Sequence, residues 1–197
     1  MEETLRGWGS EHVFIKGANA VDPEFNAGIF NAHPGGGTIG FAYGMIAALG
    51  IPLIVPVGLE KLVPSVKAAA NELGHDRVGT FTGVRFGMFP LYNATVVTEI
   101  QALETLCGVR AVHVGGGGVA GSEGSVVVVV EGESDRVEAA TELVEGIKGE
   151  PPIPLRKAFC ATCVPSTPMV RGDDAQLVDA GKHYCTYGGR AEDQLPE

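Results

Sequence analysis

Short apolar runs and helix-like segments alternate through the first half of the chain. Residues 12–17 and 52–57 are apolar and bounded by glycine or proline, so both predict buried strands. Residues 39–49 and 60–73 predict helices, and each is followed by a glycine that can end a helix. Thr38 is the predicted N-cap of the first helix. This order of elements predicts an α/β protein with a parallel, layered sheet.

The pattern changes in the second half. Residues 95–106 predict a helix with one apolar face, and residues 136–147 predict an amphipathic helix. Between them, residues 109–114 and 125–131 predict two strands, joined by the glycine-rich turn 115–124. Helix, strand, strand, helix predicts an antiparallel pair covered by helices, as in a ferredoxin-like α+β unit.

These patterns divide the chain into three predicted parts. Residues 1–90 form a parallel α/β ligand-binding part, and residues 91–150 form the ferredoxin-like part. Residues 151–197 begin with a proline-rich break and show no sustained periodicity, which predicts an extended arm with one short helix near residues 173–180. Such an arm could wrap around its own body or a partner subunit, so we expect a homo-oligomer.

The composition is typical of a folded protein with a sizeable core. The chain has 197 residues, of which 45% are hydrophobic and 19% are charged. A net charge of -10 argues against a general nucleic-acid binder, which needs a basic surface. We find no signal peptide and no apolar run of about 18 residues, so we expect no membrane partner and a cytoplasmic location. Four cysteines in a chain of this length do not indicate a secreted disulfide scaffold.

The first candidate site is the run Gly35, Gly36, Gly37 and Thr38 at the start of a predicted helix. Glycine lets a ligand approach the backbone, and a helix N-terminus adds about half a positive charge with unbonded N–H groups. A phosphate or carboxylate fits such a site. The run is neither a Walker nor a Rossmann motif, because no Gly-Lys-Ser/Thr follows it and a long loop precedes it. The alternative is a tight turn whose glycines serve packing.

The second candidate site lies at the end of the first predicted strand. In parallel α/β sheets, ligands bind at the carboxyl ends of the strands, where Lys16, Asn19 and Asp22 fall. Lys16 would pair with an anion, and Asn19 would orient it. Asn and Asp are also common in turns, which is the alternative. His33 and His75 are isolated loop histidines without an expected catalytic role, but His33 joins the ligand-binding set because it lies beside the glycines.

One segment resembles a known superfamily. Residues 16–40, KGANAVDPEFNAGIFNAHPGGGTIG, resemble the acidic turn and glycine-rich loop of ribose-5-phosphate isomerase A. They are also similar to the Gly-Ala/Thr-Asn-Ala turn of the lactate-utilisation (LUD) proteins. Both groups belong to the isomerase and coenzyme A-transferase-like superfamily. Residues 52–63 are similar to its next strand and helix start, and the elements after Phe89-Pro90 resemble the smaller α/β lid of the isomerase. The resemblance covers roughly residues 12–130 and consists of short motifs.

The resemblance implies an isomerase/CoA-transferase-like fold, with three departures. The family's usual first half, with its own phosphate-binding loop, has no counterpart in this sequence. Lys16 and Asn19 occupy the places of the two aspartates in the isomerase turn. Residues 39–49 contain no acid where the family has its catalytic glutamate. Moving a proton between two carbons needs such a base. We therefore expect a binding role, or chemistry by other residues, more than isomerisation, and we assign no catalytic residue.

A third candidate site lies in the arm. A CxxC pair followed by a histidine and a third cysteine is close to the ligand spacing of a structural zinc site. The residues are Cys160, Cys163, His183 and Cys185. The alternatives are a redox-active thiol pair and thiols with no special role. Zinc is the one cofactor that the sequence indicates.

Taken together, these patterns predict a protein that binds a small anionic metabolite at the glycine-rich loop. The expected ligand classes are sugar phosphates, nucleotides and acyl-coenzyme A esters, and an isomerase- or transferase-like enzyme is one form of this prediction. The alternatives are a non-catalytic ligand-binding or regulatory protein and a zinc- or thiol-dependent assembly protein that uses the cysteines of the arm.

Overall fold

The computed structural model describes residues 5–33, 35–78 and 85–149, so the predicted arm lies outside the described residues. The strands are β1 (Phe14–Ile15), β2 (Ala20–Val21), β3 (Ala27–Asn31), β4 (Leu53–Pro56), β5 (Gly87–Leu91), β6 (Thr95–Val97), β7 (Arg110–Gly117) and β8 (Ser125–Glu131). The helices are α1 (Gly37–Leu49), α2 (Val66–Glu72), α3 (Glu99–Cys107) and α4 (Ser134–Ile147), with a 3₁₀ turn at Leu59–Lys61.

A parallel sheet holds the two strands predicted in the first half. Its order is β1-β4-β6, with Phe14 opposite Leu53 and Ile54 opposite Thr95. The prediction of an α/β protein with a parallel sheet is confirmed. The third strand, β6, was expected to be the start of a helix. The helix begins later, at Glu99, because Thr98 and Gln101 form a capping box there.

A second sheet, which the sequence did not predict, is antiparallel. Its order is β2-β3-β5, and β3 pairs with β5 along its full length from Ala27 to Asn31. We had expected this stretch to be a loop leading to the glycines. The strand forms because Ala27 and Ile29 point into the core, where they are almost fully buried. The layered parallel sheet is therefore accompanied by an antiparallel one.

Two further helix predictions were wrong. α1 begins at Gly37 and not after Thr38, because Gly36 occupies the N-cap position in the left-handed region (φ 81°) without a side-chain cap. The helix predicted over residues 60–73 is split into the 3₁₀ turn and α2. Pro64 causes the split, because proline lacks an N–H and keeps the preceding residue extended. Ser65 then caps α2, its side chain accepting from the Ala68 N–H.

The apolar side chains form two clusters. The larger one joins both three-stranded sheets with α1 and includes Phe14, Ile29, Ile46 and Val55. The smaller one lies between the β7–β8 hairpin and helices α3 and α4. Its buried members are Leu103, Val109, Ala111 and Ala140. The fold thus holds α1 against the two sheets, with its N-terminus at the end of β3.

Candidate functional site

The glycine loop, which we define as Gly35, Gly36 and Gly37, connects the end of β3 to α1. Gly36 and Gly37 have positive φ angles of 81° and 59°, a region that L-residues rarely adopt. Packing also constrains the loop, since a Cβ on Gly40 would lie 2.8 Å from the Gly35 carbonyl oxygen. Part of the glycine content therefore serves the turn and its contact with the first turn of α1.

His33 holds the loop in place. Its Nδ1 accepts a hydrogen bond from the Gly35 N–H at 2.9 Å, and its carbonyl oxygen accepts one from the Gly36 N–H at 2.9 Å. Two of the N–H groups that we expected to contact a ligand are thus used within the loop itself. Gly35 and Gly36 shape the turn, and the donors that remain belong to the first turn of α1.

The first turn of α1 presents a row of N–H groups. Those of Gly37, Thr38 and Ile39 form no hydrogen bond to another described residue, whereas Gly40 N–H donates to Gly36 O at 2.9 Å. Thr38 is exposed, and α1 has no acidic residue in its first turn. A helix of 13 residues brings about half a positive charge to this end. At Gly37 and Thr38 this end of the helix is open to solvent and can accept an anion, whereas Ile39 is only 1% exposed.

Asn31 and His75 support the loop from the side of the antiparallel sheet. The Asn31 side-chain amide donates to Gly36 O at 2.7 Å and accepts from the Phe89 N–H at 3.3 Å. His75 Nε2 lies 2.9 Å from the Asn31 carbonyl oxygen, and Arg85 Nη1 donates to His75 O at 3.3 Å. Sequence reasoning missed this group. Its members are far apart in the chain, and the unpredicted pairing of β3 with β5 brings them together.

Lys16 and Asn19 lie where the sequence placed them, near the end of β1. Lys16 is half-buried and its Nζ donates to Gly17 O at 3.0 Å. Asn19 Oδ1 accepts from the Phe30 N–H at 2.9 Å, which ties this turn to β3 just before the loop. Among the described residues, no hydrogen bond or ion pair joins the Lys16 side chain to the glycine loop.

Asp22 has a structural role, and we leave it out of the site. The residue is 4% exposed, and its carboxylate accepts hydrogen bonds from the N–H groups of Glu24, Asn26 and Val66 and from the Asn26 side chain. Burial acts to raise the pKa of this carboxyl, but the hydrogen bonds from Val66, Asn26 and Glu24 outweigh it and hold the pKa below its ordinary value. The carboxylate thus fastens the β2–β3 turn to the start of α2.

A cavity of about 390 Å³ lies next to the C-terminal half of α1, away from the glycine loop. Its walls include Tyr43 and Ile46 from the helix and Tyr92 and Asn93 from the turn between β5 and β6. It lies at the amino ends of β4 and β6, beside Leu53 and Thr95. Ligands of parallel α/β sheets bind at the opposite, carboxyl ends. We therefore do not base a function on this cavity.

The predicted metal ligands Cys160, Cys163, His183 and Cys185 lie outside the described residues. Within the described ranges, no group of three or more His, Cys, Asp or Glu side chains is placed to hold a metal ion. In the same ranges, no helix is both long enough and apolar enough to cross a membrane. Compared with known proteins, the chain matches no family model, no curated protein and no solved structure.

Proposed function

We propose that the protein binds a small anionic metabolite, of the sugar phosphate, nucleotide or acyl-coenzyme A type, at the N-terminus of α1. One observation carries the proposal. The N–H groups of Gly37, Thr38 and Ile39 have no partner among the described residues, and they lie at the positive end of a 13-residue helix. A phosphate or carboxylate group can supply acceptors for these donors.

The side chains beside these N–H groups suit the same ligand. Because His33 Nδ1 accepts from Gly35, the neutral ring carries its proton on Nε2, which is then a donor. Thr38 is exposed and adds a hydroxyl group. In the proposed site, the N–H groups of Gly37 and Thr38 hold the anion and these two side chains complete its shell.

The proposal also includes the two polar residues that follow β1. Asn19 is connected to β3 through the Phe30 N–H, one residue before Asn31. Lys16 is the cation that we propose for a second charged group of the metabolite. Its ammonium group is bonded only to the neighbouring carbonyl oxygen of Gly17 among the contacts within the described ranges, so it can turn toward a ligand.

We further propose that the fold is of the isomerase/CoA-transferase-like type, with α3, β7, β8 and α4 as its ferredoxin-like unit. The parallel sheet and the order helix, strand, strand, helix support this assignment. α1 carries neither an acidic nor a basic side chain, so it offers no base at the position of the family's glutamate. The proposal therefore favours ligand binding over isomerisation.

The test is a thermal-shift titration with inorganic phosphate, sugar phosphates, nucleotides and coenzyme A esters. A ligand that binds only the folded state at about 100 times its Kd adds about 2.7 kcal/mol, which raises Tm by several degrees. Thr38→Glu places a carboxylate at the positive end of α1, where it occupies the N–H groups and repels the ligand while the helix stays stable. We expect the thermal shift to disappear in this variant.

The control is Ala48→Glu, which adds the same charge at an exposed position near the other end of α1. It should lower the basal Tm slightly and keep the full thermal shift. If none of the anions shifts Tm, or if both variants lose the shift equally, the proposed function is wrong.

A further inference from the structure

We propose that two copies of this chain associate through the outer face of the β7–β8 hairpin, which stacks on the same face of a second copy. The outer face is the side of the hairpin that is turned away from α3 and α4. The inference is independent of the proposed anion site, because that site is built from other elements, β3 and α1.

The outer face of the hairpin is apolar. β8 contains five consecutive valines, so both sides of this strand carry valine side chains. On the inner side, Val128 and Val130 pack against the smaller apolar cluster. On the outer side, four valines of the two strands are between 37% and 56% exposed: Val112, Val114, Val127 and Val129. The solvated side of an antiparallel sheet is normally polar, so this valine face indicates an interaction surface.

Two charged residues lie at one end of the valine face. Arg110 and Glu131 are opposite each other in the strand register, and Arg110 Nη1 lies 3.0 Å from Glu131 Oε2. The next outward pair is Val112 opposite Val129. The side chains of Arg110 and Glu131 are 69% and 75% exposed, so each can also contact a charged group of a second molecule.

This order of residues makes the face complementary to itself. A two-fold axis parallel to the strands, placed between two stacked hairpins, brings β7 of each copy over β8 of the other. Arg110 then lies over Glu131 of the second copy, and valines lie over valines. Stacked sheets pack in this way about 10 Å apart with nearly aligned strands. A second copy matches both the charges and the apolar residues by symmetry, which favours it over an unrelated partner.

The size of the face sets the expected affinity. The seven residues of β8 extend about 24 Å, and two paired strands are about 10 Å wide. This area is well below the roughly 800 Å² that each partner contributes to a standard interface. We therefore expect a reversible dimer with a Kd in the micromolar range.

The experiment is sedimentation velocity of the full chain from about 1 μM to about 500 μM, which covers this range of Kd. We expect the wild-type protein to change from monomer to dimer as its concentration rises. Val129→Glu places two carboxylates inside the interface and should raise Kd by at least about tenfold. The matched control is Val144→Glu, at a valine on α4 that is 38% exposed and lies away from the valine face, and it should leave Kd unchanged.

Charge reversal tests the two-fold arrangement itself. Arg110→Glu leaves two acids at the end of the face, and Glu131→Arg leaves two arginines there. Each variant alone should dimerise about tenfold more weakly, because like charges meet across the interface. An equimolar mixture should recover the wild-type association, because each acid then meets an arginine of the other chain. Both positions are exposed, so these variants also decide the question if Val129→Glu fails to fold.

The exposed Lys148–Glu145 pair on α4 provides the control for charge reversal. Lys148→Glu and Glu145→Lys, alone or mixed, should associate like the wild-type protein. A wild-type chain that stays monomeric up to the highest concentration overturns the proposal. So does a dimer that Val129→Glu or, if that variant does not fold, Arg110→Glu leaves intact, since it uses another surface. Failure of the mixed charge-reversal variants to recover association overturns the two-fold stacking.

Discussion

Replacing Asp22 with asparagine is the change that tests the fold most directly, because it replaces one carboxylate oxygen by an NH₂ group and changes the side-chain volume very little. In the native chain, Oδ1 accepts from the N–H groups of Glu24 and Asn26, and Oδ2 accepts from the Val66 N–H and the Asn26 side chain. An asparagine can keep one oxygen, but its NH₂ group then faces two donors. In one orientation the Val66 N–H, in a fully buried residue, loses its acceptor, and in the other the N–H groups of Glu24 and Asn26 lose theirs.

The magnitude follows from these hydrogen bonds. A buried donor left without a partner costs about 1–3 kcal/mol, and each of the partly buried hydrogen bonds adds about 0.5–1.5 kcal/mol. We therefore expect Asp22→Asn to lower the free energy of unfolding by about 2–4 kcal/mol at neutral pH. The assay is urea unfolding, with the change read from the midpoint at constant m-value. Glu24→Gln, at an exposed neighbouring position, is the control and should cost less than about 0.5 kcal/mol.

The pH dependence gives the same prediction a second readout. The pKa of the folded Asp22 carboxyl is lowered, so its contribution to stability is complete above the unfolded pKa of about 3.9 and is lost as the pH falls through the folded value. Asparagine does not titrate. The difference between the two proteins should therefore shrink below about pH 4. A cost under about 0.5 kcal/mol, or a gap that widens in acid, would refute the structural role of Asp22.

Two further substitutions test local geometry. Gly40→Ala should lower the free energy of unfolding by about 1–3 kcal/mol and disturb the glycine loop, because the new Cβ would lie 2.8 Å from the Gly35 carbonyl oxygen. Gly44→Ala, whose Cβ would have no atom within 4 Å, should raise the free energy of unfolding by about 0.5–1 kcal/mol. Urea unfolding of both variants measures the difference, and equal effects would contradict the prediction. Thr98→Ala should cost about 1 kcal/mol by removing the capping box with Gln101, and Thr98→Ser should restore most of it in the same assay.

Local signals in the sequence predicted most of the regular elements. The apolar run of β4, the glycine after α1 and the run of five valines in β8 each act within a few residues. Pro64 was an equally local signal against one continuous helix over residues 60–73, but in the prediction the helical periodicity of its neighbours outweighed it. The sequence of β3 was harder to interpret. Its five residues form a strand because β5 pairs with them from about 60 positions away, and no local pattern contains that partner.

The candidate site likewise combines features that local sequence predicted with features that depend on residues far apart in the chain. The glycines and the N-terminus of α1 were predicted from their order in the chain. The hydrogen bond from the Gly35 N–H to His33 joins residues only two positions apart, yet the presence of a histidine at position 33 did not show that its ring would face the loop. Asp22 was expected to contact a ligand, and its structural role depends on Val66, 44 residues further on. A carboxylate that binds a ligand and one that binds a distant N–H look alike in sequence.

The position of Ile100 on α3 has a consequence for how the protein unfolds. Its side chain packs against the larger apolar cluster and also against the smaller one. Two of the four buried residues of the smaller cluster are alanines, so that cluster contains little apolar surface of its own. The β7–β8 hairpin, α3 and α4 therefore depend on packing against the larger cluster for part of their stability. Loosening either cluster withdraws packing from the other, and the shared isoleucine couples their unfolding.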